Sequence, residues 1–157
     1  MEHKPPAPVI EAAHAEHLTT LPFDDTADFD DTDRGFIAAL QPCVVTAADG
    51  RVVWDNDVYE FLAGDAPTSV HPSLWRQSIL AAKQGLYEVV EGIYQVRGLD
   101  LSNITFTEGD TGVIVIDPLI CTETAAAALA LYRAHRGERP VSAVIYTHSH
   151  VDHFGGV

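Results

Sequence analysis

The last eleven residues, Thr147-His148-Ser149-His150-Val151-Asp152-His153-Phe154-Gly155-Gly156-Val157, restrict the fold more than any other stretch. They place three imidazoles and one carboxylate within six residues, directly after the apolar run Val141 to Tyr146. That run reads as a buried strand, so a strand ends in a loop dense with metal-type ligands. Imidazole nitrogen and carboxylate oxygen are the usual ligands of zinc and similar borderline cations. His148 and His150 are two apart, and in an extended segment such side chains share a face, so both can grip one ion. Asp152 and His153 are adjacent, follow the start of a turn, and point elsewhere, toward a second ion. Two ions about 3.5–4 Å apart can hold a bridging hydroxide at neutral pH and polarise an ester oxygen. Gly155-Gly156 lets the backbone pack closely behind the ligands. A His-rich surface loop or a purification tag explains the stretch less well, because it is no homopolymer and it follows a β-branched strand.

Bulk properties limit the partners. With 157 residues, the chain holds one ordinary domain, or a small region and part of a second. A net charge of −14 argues against nucleic acid and anionic membrane surfaces as partners. An anionic substrate meets a repulsive overall field and needs a local positive centre, which metal ions supply. Cys43 and Cys121 lie far apart in no ligand pattern and read as reduced thiols. The N-terminus, Met1 to Pro8, lacks the apolar core of a secretory signal. The low-polarity run Ala125 to Tyr132 is too short to span a bilayer. These features lead to an expected cytoplasmic location, with a secreted or periplasmic one left open if the start is misplaced.

Taken in order, residues 1–22 are expected as a flexible N-terminus with a short helix over Pro8 to Leu18. Its His14 and His17, one turn apart, are read as solvated rather than as a site. Residues 23–88 are expected as a helical and hairpin layer. The acidic run Phe23 to Asp33 lacks the glycine and glutamate positions of an EF-hand, so it reads as a loop capping a helix over Arg34 to Leu40. Asp49-Gly50 between β-branched runs signals a hairpin. Asp55 or Asn56 caps a short helix through Leu62. Pro72 opens a helix over Ser73 to Gln84, closed by Gly85, with Trp75 and Ile79 on its docking face.

From residue 89 the pattern changes to strands at 93–97, 103–107 and 113–116, the third fully buried and stopped by Asp117-Pro118. A helix capped by Thr122 or Thr124 runs to about Arg136, and the strand over Val141 to Thr147 follows. Strand, helix and strand in that order argue for an α/β sheet with ligands at its C-terminal edge.

Residues 92 onward resemble the metallo-β-lactamase superfamily, through the hairpin strands, the buried strand ending in Asp117, and His148-x-His150-x-Asp152-His153. The chain is similar in particular to the alkylsulfatase branch. That likeness rests on Gly92 to Gly98, Asp100 to Asn103, Glu108 to Gly112 and Thr147 to Val157, and upstream on Arg34 to Ile37 and Pro72 to Gln77. The resemblance implies an α/β fold, with residues 89–157 as the start of an αββα sandwich preceded by the mostly helical region. It implies hydrolysis of alkyl sulfate esters such as dodecyl sulfate at two zinc ions, by an enzyme that works as a homodimer. His148 and His150 then serve one zinc, Asp152 and His153 the other, and Asp117 orients the ligand loop from behind. Two catalytic ions need about six protein ligands, and four are present. The chain is therefore expected to be an N-terminal fragment that binds metal weakly and is inactive alone. Two other readings are a thioester, lactone or β-lactam hydrolase of the same superfamily, and a non-catalytic metal-binding fragment.

Overall fold

Alternating apolar residues at 93–97 and 104–108, and the continuous apolar run at 113–116, produce strands there. The computed structural model, which describes residues 5–157, builds them into a six-stranded mixed sheet. Expectations for residues 1–4 lie outside the described residues. The strands are β1 (Phe36–Ala38), β2 (Val44–Thr46), β3 (Val52–Asp55), β4 (Gly85–Val90), β5 (Ile93–Arg97), β6 (Ile104–Glu108), β7 (Val113–Ile116) and β8 (Val141–Ile145). The helices are α1 (Pro8–Thr20), α2 (Ala27–Asp33), α3 (Pro72–Ala81) and α4 (Thr122–Arg136). Among the described residues, no helix is long and apolar enough to cross a membrane.

The chain divides into two units. One holds residues up to Thr32 together with Tyr59–Ala82; the other holds Asp33–Val58 with Lys83–Val157. In the first unit, the His71 ring caps α3 by accepting a hydrogen bond from Ser73 N at 3.1 Å. The Arg76 guanidinium pairs with Asp28 at 2.7 Å and lies 4.9 Å from the Phe29 ring centre. Trp75 packs on Phe61, with ring centres 5.9 Å apart.

The second unit contains the sheet, in the order β1-β4-β5-β6-β7-β8, and the separate hairpin β2-β3. All sheet neighbours are antiparallel except β7 and β8, which run parallel. One face is buried: Tyr94 and Val96 on β5, Ile104 and Phe106 on β6, Val113 and Val115 on β7. Helix α4 covers it with Ala128, Leu131 and Tyr132, the last stacked on Phe106 at 4.5 Å. Both β7 and β8 end at one sheet edge, because the crossover through α4 makes them parallel.

Several expectations need correction. Residues 34–40 are not helical: Phe36–Ala38 is strand β1, paired to β4. The helix lies earlier, at Ala27–Asp33, where Asp25 accepts from Ala27 N and Asp28 and Asp30 suit the positive helix start. Gly35 serves the strand instead, with φ +72 and a Cβ position 2.0 Å from Glu88 O, so no larger residue fits. Helix α3 stops at Ala81, and Gly85 opens β4 at φ +138 rather than ending a helix. Strand β7 is buried on one face only, since Ile114 and Ile116 are half-exposed. Strand β8 is exposed along its whole length, because it pairs only with β7 and an apolar cavity of about 370 Å3 separates α4 from Val141 and Val144.

The C-terminal turn of α4 is tied to the sheet by Glu108. Its carboxylate accepts from Arg136 Nε at 3.1 Å and from Tyr132 Oη at 2.9 Å. The Arg136 hydrogen bond, helped by Tyr132 and opposed by burial, holds the Glu108 carboxyl below its ordinary range. A folded value below the unfolded one means stability that is present above about pH 4.3 and lost as pH falls through the folded value. Glu108→Gln is therefore expected to cost about 1–3 kcal/mol at pH 7. It should also flatten the acid limb of stability, checked by thermal melts across a pH series. An unchanged limb would show that Glu108 carries no such linkage.

Candidate metal centre

The site begins at the end of β7. Asp117 has φ 55 and Leu119 φ 65, two non-glycine residues in the left-handed region around Pro118. Such strain persists only where neighbours fix it, and it clusters at functional loops. Here the fixing is visible. Asp117 N donates to Ile145 O at 2.9 Å, joining the ends of β7 and β8. The buried Asp117 carboxylate accepts from Thr147 N at 2.8 Å, from Thr147 Oγ1 at 2.7 Å and from His153 Nδ1 at 2.9 Å. Burial pushes this carboxyl up, but the Thr147 and His153 hydrogen bonds outweigh it and hold the group below its ordinary range.

These bonds fix imidazole tautomers. His153 gives its Nδ1 hydrogen to Asp117, which leaves Nε2 as the nitrogen that would face an ion; it stands 3.3 Å from Asp152 Oδ2. Thr147 gives its hydroxyl hydrogen to Asp117, so its oxygen accepts from His148 Nδ1 at 3.0 Å. His148 Nε2 keeps its lone pair and accepts from His150 Nδ1 at 2.9 Å. One buried carboxylate thus sets two of the three rings, directly and through a threonine.

The four expected ligands are brought together, but not as two separate pairs. His148 lies between the others: its ring centre is 4.8 Å from that of His150 and 4.0 Å from that of His153. The reason is the 3-10 turn Val151–His153, in which His153 N donates to His150 O at 3.0 Å and swings His153 back. Among the described residues, no group of three or more His, Cys, Asp and Glu stands in a geometry that could hold a metal ion. The donor atoms are turned on one another as hydrogen-bond partners. The donor set itself suits a borderline divalent ion: lone-pair nitrogens of fixed tautomer beside a carboxylate, with an acid behind them.

The loop backbone is held as tightly as its side chains. A Cβ on Gly155 would stand 2.1 Å from Ile120 O, and one on Gly156 2.0 Å from Pro118 O. Gly156 N donates to Leu119 O at 3.0 Å. Ser102 donates its hydroxyl to Asp152 O. The sequence reading gave roles to Asp117 and the glycines but none to Thr147 or Ser102. Thr147 is the findable one, since a hydroxyl adjoining a ligand histidine can reach the same carboxylate.

A second histidine group was not expected. His14 and His17 face His71, with ring centres 5.3 and 4.7 Å away. His71 Nδ1 accepts from Ser73 N, so its hydrogen sits on Nε2 and no lone pair remains for an ion. The cluster packs α1 on α3.

The chain is similar to several known proteins. The model of the metallo-beta-lactamase superfamily matches residues 97–157. A linear primary-alkylsulfatase from Pseudomonas sp. is 52% identical over 156 residues, covering 98% of this chain and 23% of that protein. An (R)-specific secondary-alkylsulfatase from Pseudomonas sp. is 48% identical over 157 residues, covering 99% of this chain and 24% of the relative. The solved structure of the stereoselective inverting sec-alkylsulfatase Pisa1 from Pseudomonas sp. superposes with a TM-score of 0.93 at 49% identity, over 99% of this chain and 24% of that one. The chain spans about a quarter of the length of these relatives.

Two outcomes follow from the geometry. Asp117→Asn puts an amide NH2 or a single acceptor where three donors converge, so one imidazole loses its tautomer. Zinc affinity by chelator competition is expected to fall about 10–100-fold. Gly156→Ala drives a methyl into Pro118 O and should lower unfolding stability by about 3 kcal/mol, read from denaturant melts.

Proposed function

We propose that this chain, which matches the metallo-beta-lactamase superfamily over residues 97–157 and is similar to alkylsulfatases, supplies four ligands of a dinuclear zinc site. The whole protein, on this reading, hydrolyses alkyl sulfate esters to an alcohol and inorganic sulfate. His148 and His150 serve one zinc; Asp152 and His153 serve the other. The observation that carries the reading is the gathering of these four side chains on one loop, with the His148 and His153 rings oriented by a single buried carboxylate. The substrate class is supported by relatives near 50% identity whose names specify alkylsulfatases.

When bound, the ions would supply Lewis acidity toward the sulfate oxygens and a nucleophile at neutral pH. The remaining work falls to the chain itself. Asp117 takes the Nδ1 hydrogen of His153 and, through Thr147, fixes that of His148, so both rings offer Nε2. The glycine pair keeps the loop pressed on residues 118–121, so the ligands approach from a fixed backbone.

The test is sulfate release from dodecyl sulfate by the whole protein loaded with zinc, followed by ion chromatography. Steady release is expected, falling to background on chelation and in His150→Ala. Zinc-loaded protein that frees no sulfate from any alkyl sulfate of a chain-length series would refute the assignment.

A further inference from the structure

The loop between β5 and β6 carries two buried polar side chains that the proposed mechanism leaves unused, Asp100 and Ser102, 6% and 9% exposed. A buried carboxylate needs hydrogen-bond partners. Asp100 finds its own on separate elements. Oδ1 accepts from Leu101 N, within its own loop, while Oδ2 accepts from Ile120 N at 2.9 Å and from Thr124 Oγ1 at 2.9 Å. Thr124, 1% exposed, lies in the first turn of α4, and Ile120 lies in the strained segment after Asp117. Asp100 therefore anchors the β5–β6 loop to the start of α4. Two residues later, the Ser102 hydroxyl reaches the other way and donates to the main-chain carbonyl of Asp152.

We infer that Ser102 is a positioning residue for the metal loop, braced by Asp100. The pair forms a strut from the start of α4 to the backbone of a proposed ligand. Elsewhere on the loop, Asp117 holds Thr147 and His153, and the glycines hold the exit. The 3-10 turn carrying Asp152 is tied to the rest of the sheet through Ser102. Its carboxylate stands 3.3 Å from His153 Nε2, and a rotation of the Asp152 peptide would carry the oxygen away from that nitrogen. Outer groups that orient ligands without touching the ion change affinity about 10–100-fold when removed. The inference rests on the metal reading given above.

The experiment measures zinc affinity of the whole protein by chelator competition, at a temperature where circular dichroism shows each variant folded. Ser102→Ala is expected to weaken zinc about tenfold. Ser102→Thr keeps the hydroxyl and is expected to stay within about threefold of wild type. Asp100→Asn loosens the strut from its other end, should weaken zinc by the same route, and carries the test if Ser102→Ala does not fold. The double variant is expected to lose less than the product of the two single losses, because both act on one path. Wild-type affinity in Ser102→Ala overturns the inference while leaving the metal reading intact. A loss that Ser102→Thr shares in full also overturns it, because packing rather than the hydroxyl would then be at work. Wild-type protein that binds no zinc overturns the metal reading, and this inference falls with it.

Discussion

The Asp117 carboxylate is the interaction on which the site depends. It stands at the end of β7 in a left-handed conformation that aspartate tolerates better than most residues. From there one oxygen reaches the main chain just past β8, and the other reaches a hydroxyl and an imidazole. A neutral side chain of the same shape could not accept all three hydrogens. The parallel pairing of β7 with β8 makes this possible, because it brings Asp117 and Thr147 to one sheet edge thirty residues apart in sequence. The crossover helix α4 is thus part of the site's geometry although it donates no ligand.

Rigidity around the loop comes from backbone contact more than from side-chain burial. Gly155 and Gly156 lie against carbonyls that would collide with any Cβ, and Leu119 accepts from Gly156 while held in its own unfavourable conformation. Ser102 adds a contact from the β5–β6 loop. A ligand loop on the rim of a sheet has little apolar area to bury. His148 and His150 are exposed, so close main-chain fit has to supply what packing does not.

The legible parts of the sequence were those with a repeating period or a stated chemistry. The strand at 113–116, the helix from Thr122 to Arg136 and the strand from Val141 each had a run of the right period and a stop signal, and all three formed. Asp117 and the glycine pair stand out in the sequence because a ligand histidine needs an acceptor and a tight loop needs bare backbone; Asp117 does accept from His153, and neither glycine has room for a Cβ. Strand β1 was missed since Phe36–Ala38 is too short to show alternation, and its partner β4 follows a helix whose apparent pattern ran on to Gln84. The depth of β8 was misjudged because an apolar run says nothing about how many neighbours a strand has. Thr147, Asp100 and Ser102 act through contacts 30, 20 and 50 residues away, and no local pattern encodes those distances.

Charge gives an independent argument for cations in this loop. The chain carries a net −14, and the loop region adds two carboxylates, Asp117 and Asp152, to three imidazoles that are neutral when they act as ligands. With the rings neutral, as ligands are, the loop brings a charge of about −2 and repels an anion. Surface charges farther off are screened within about 8 Å at physiological ionic strength, so the local sum decides what enters. Two divalent ions would turn it from −2 to about +2, attractive to an anion. On the proposed reading, ions held in this loop would therefore also be what lets an anionic ester approach.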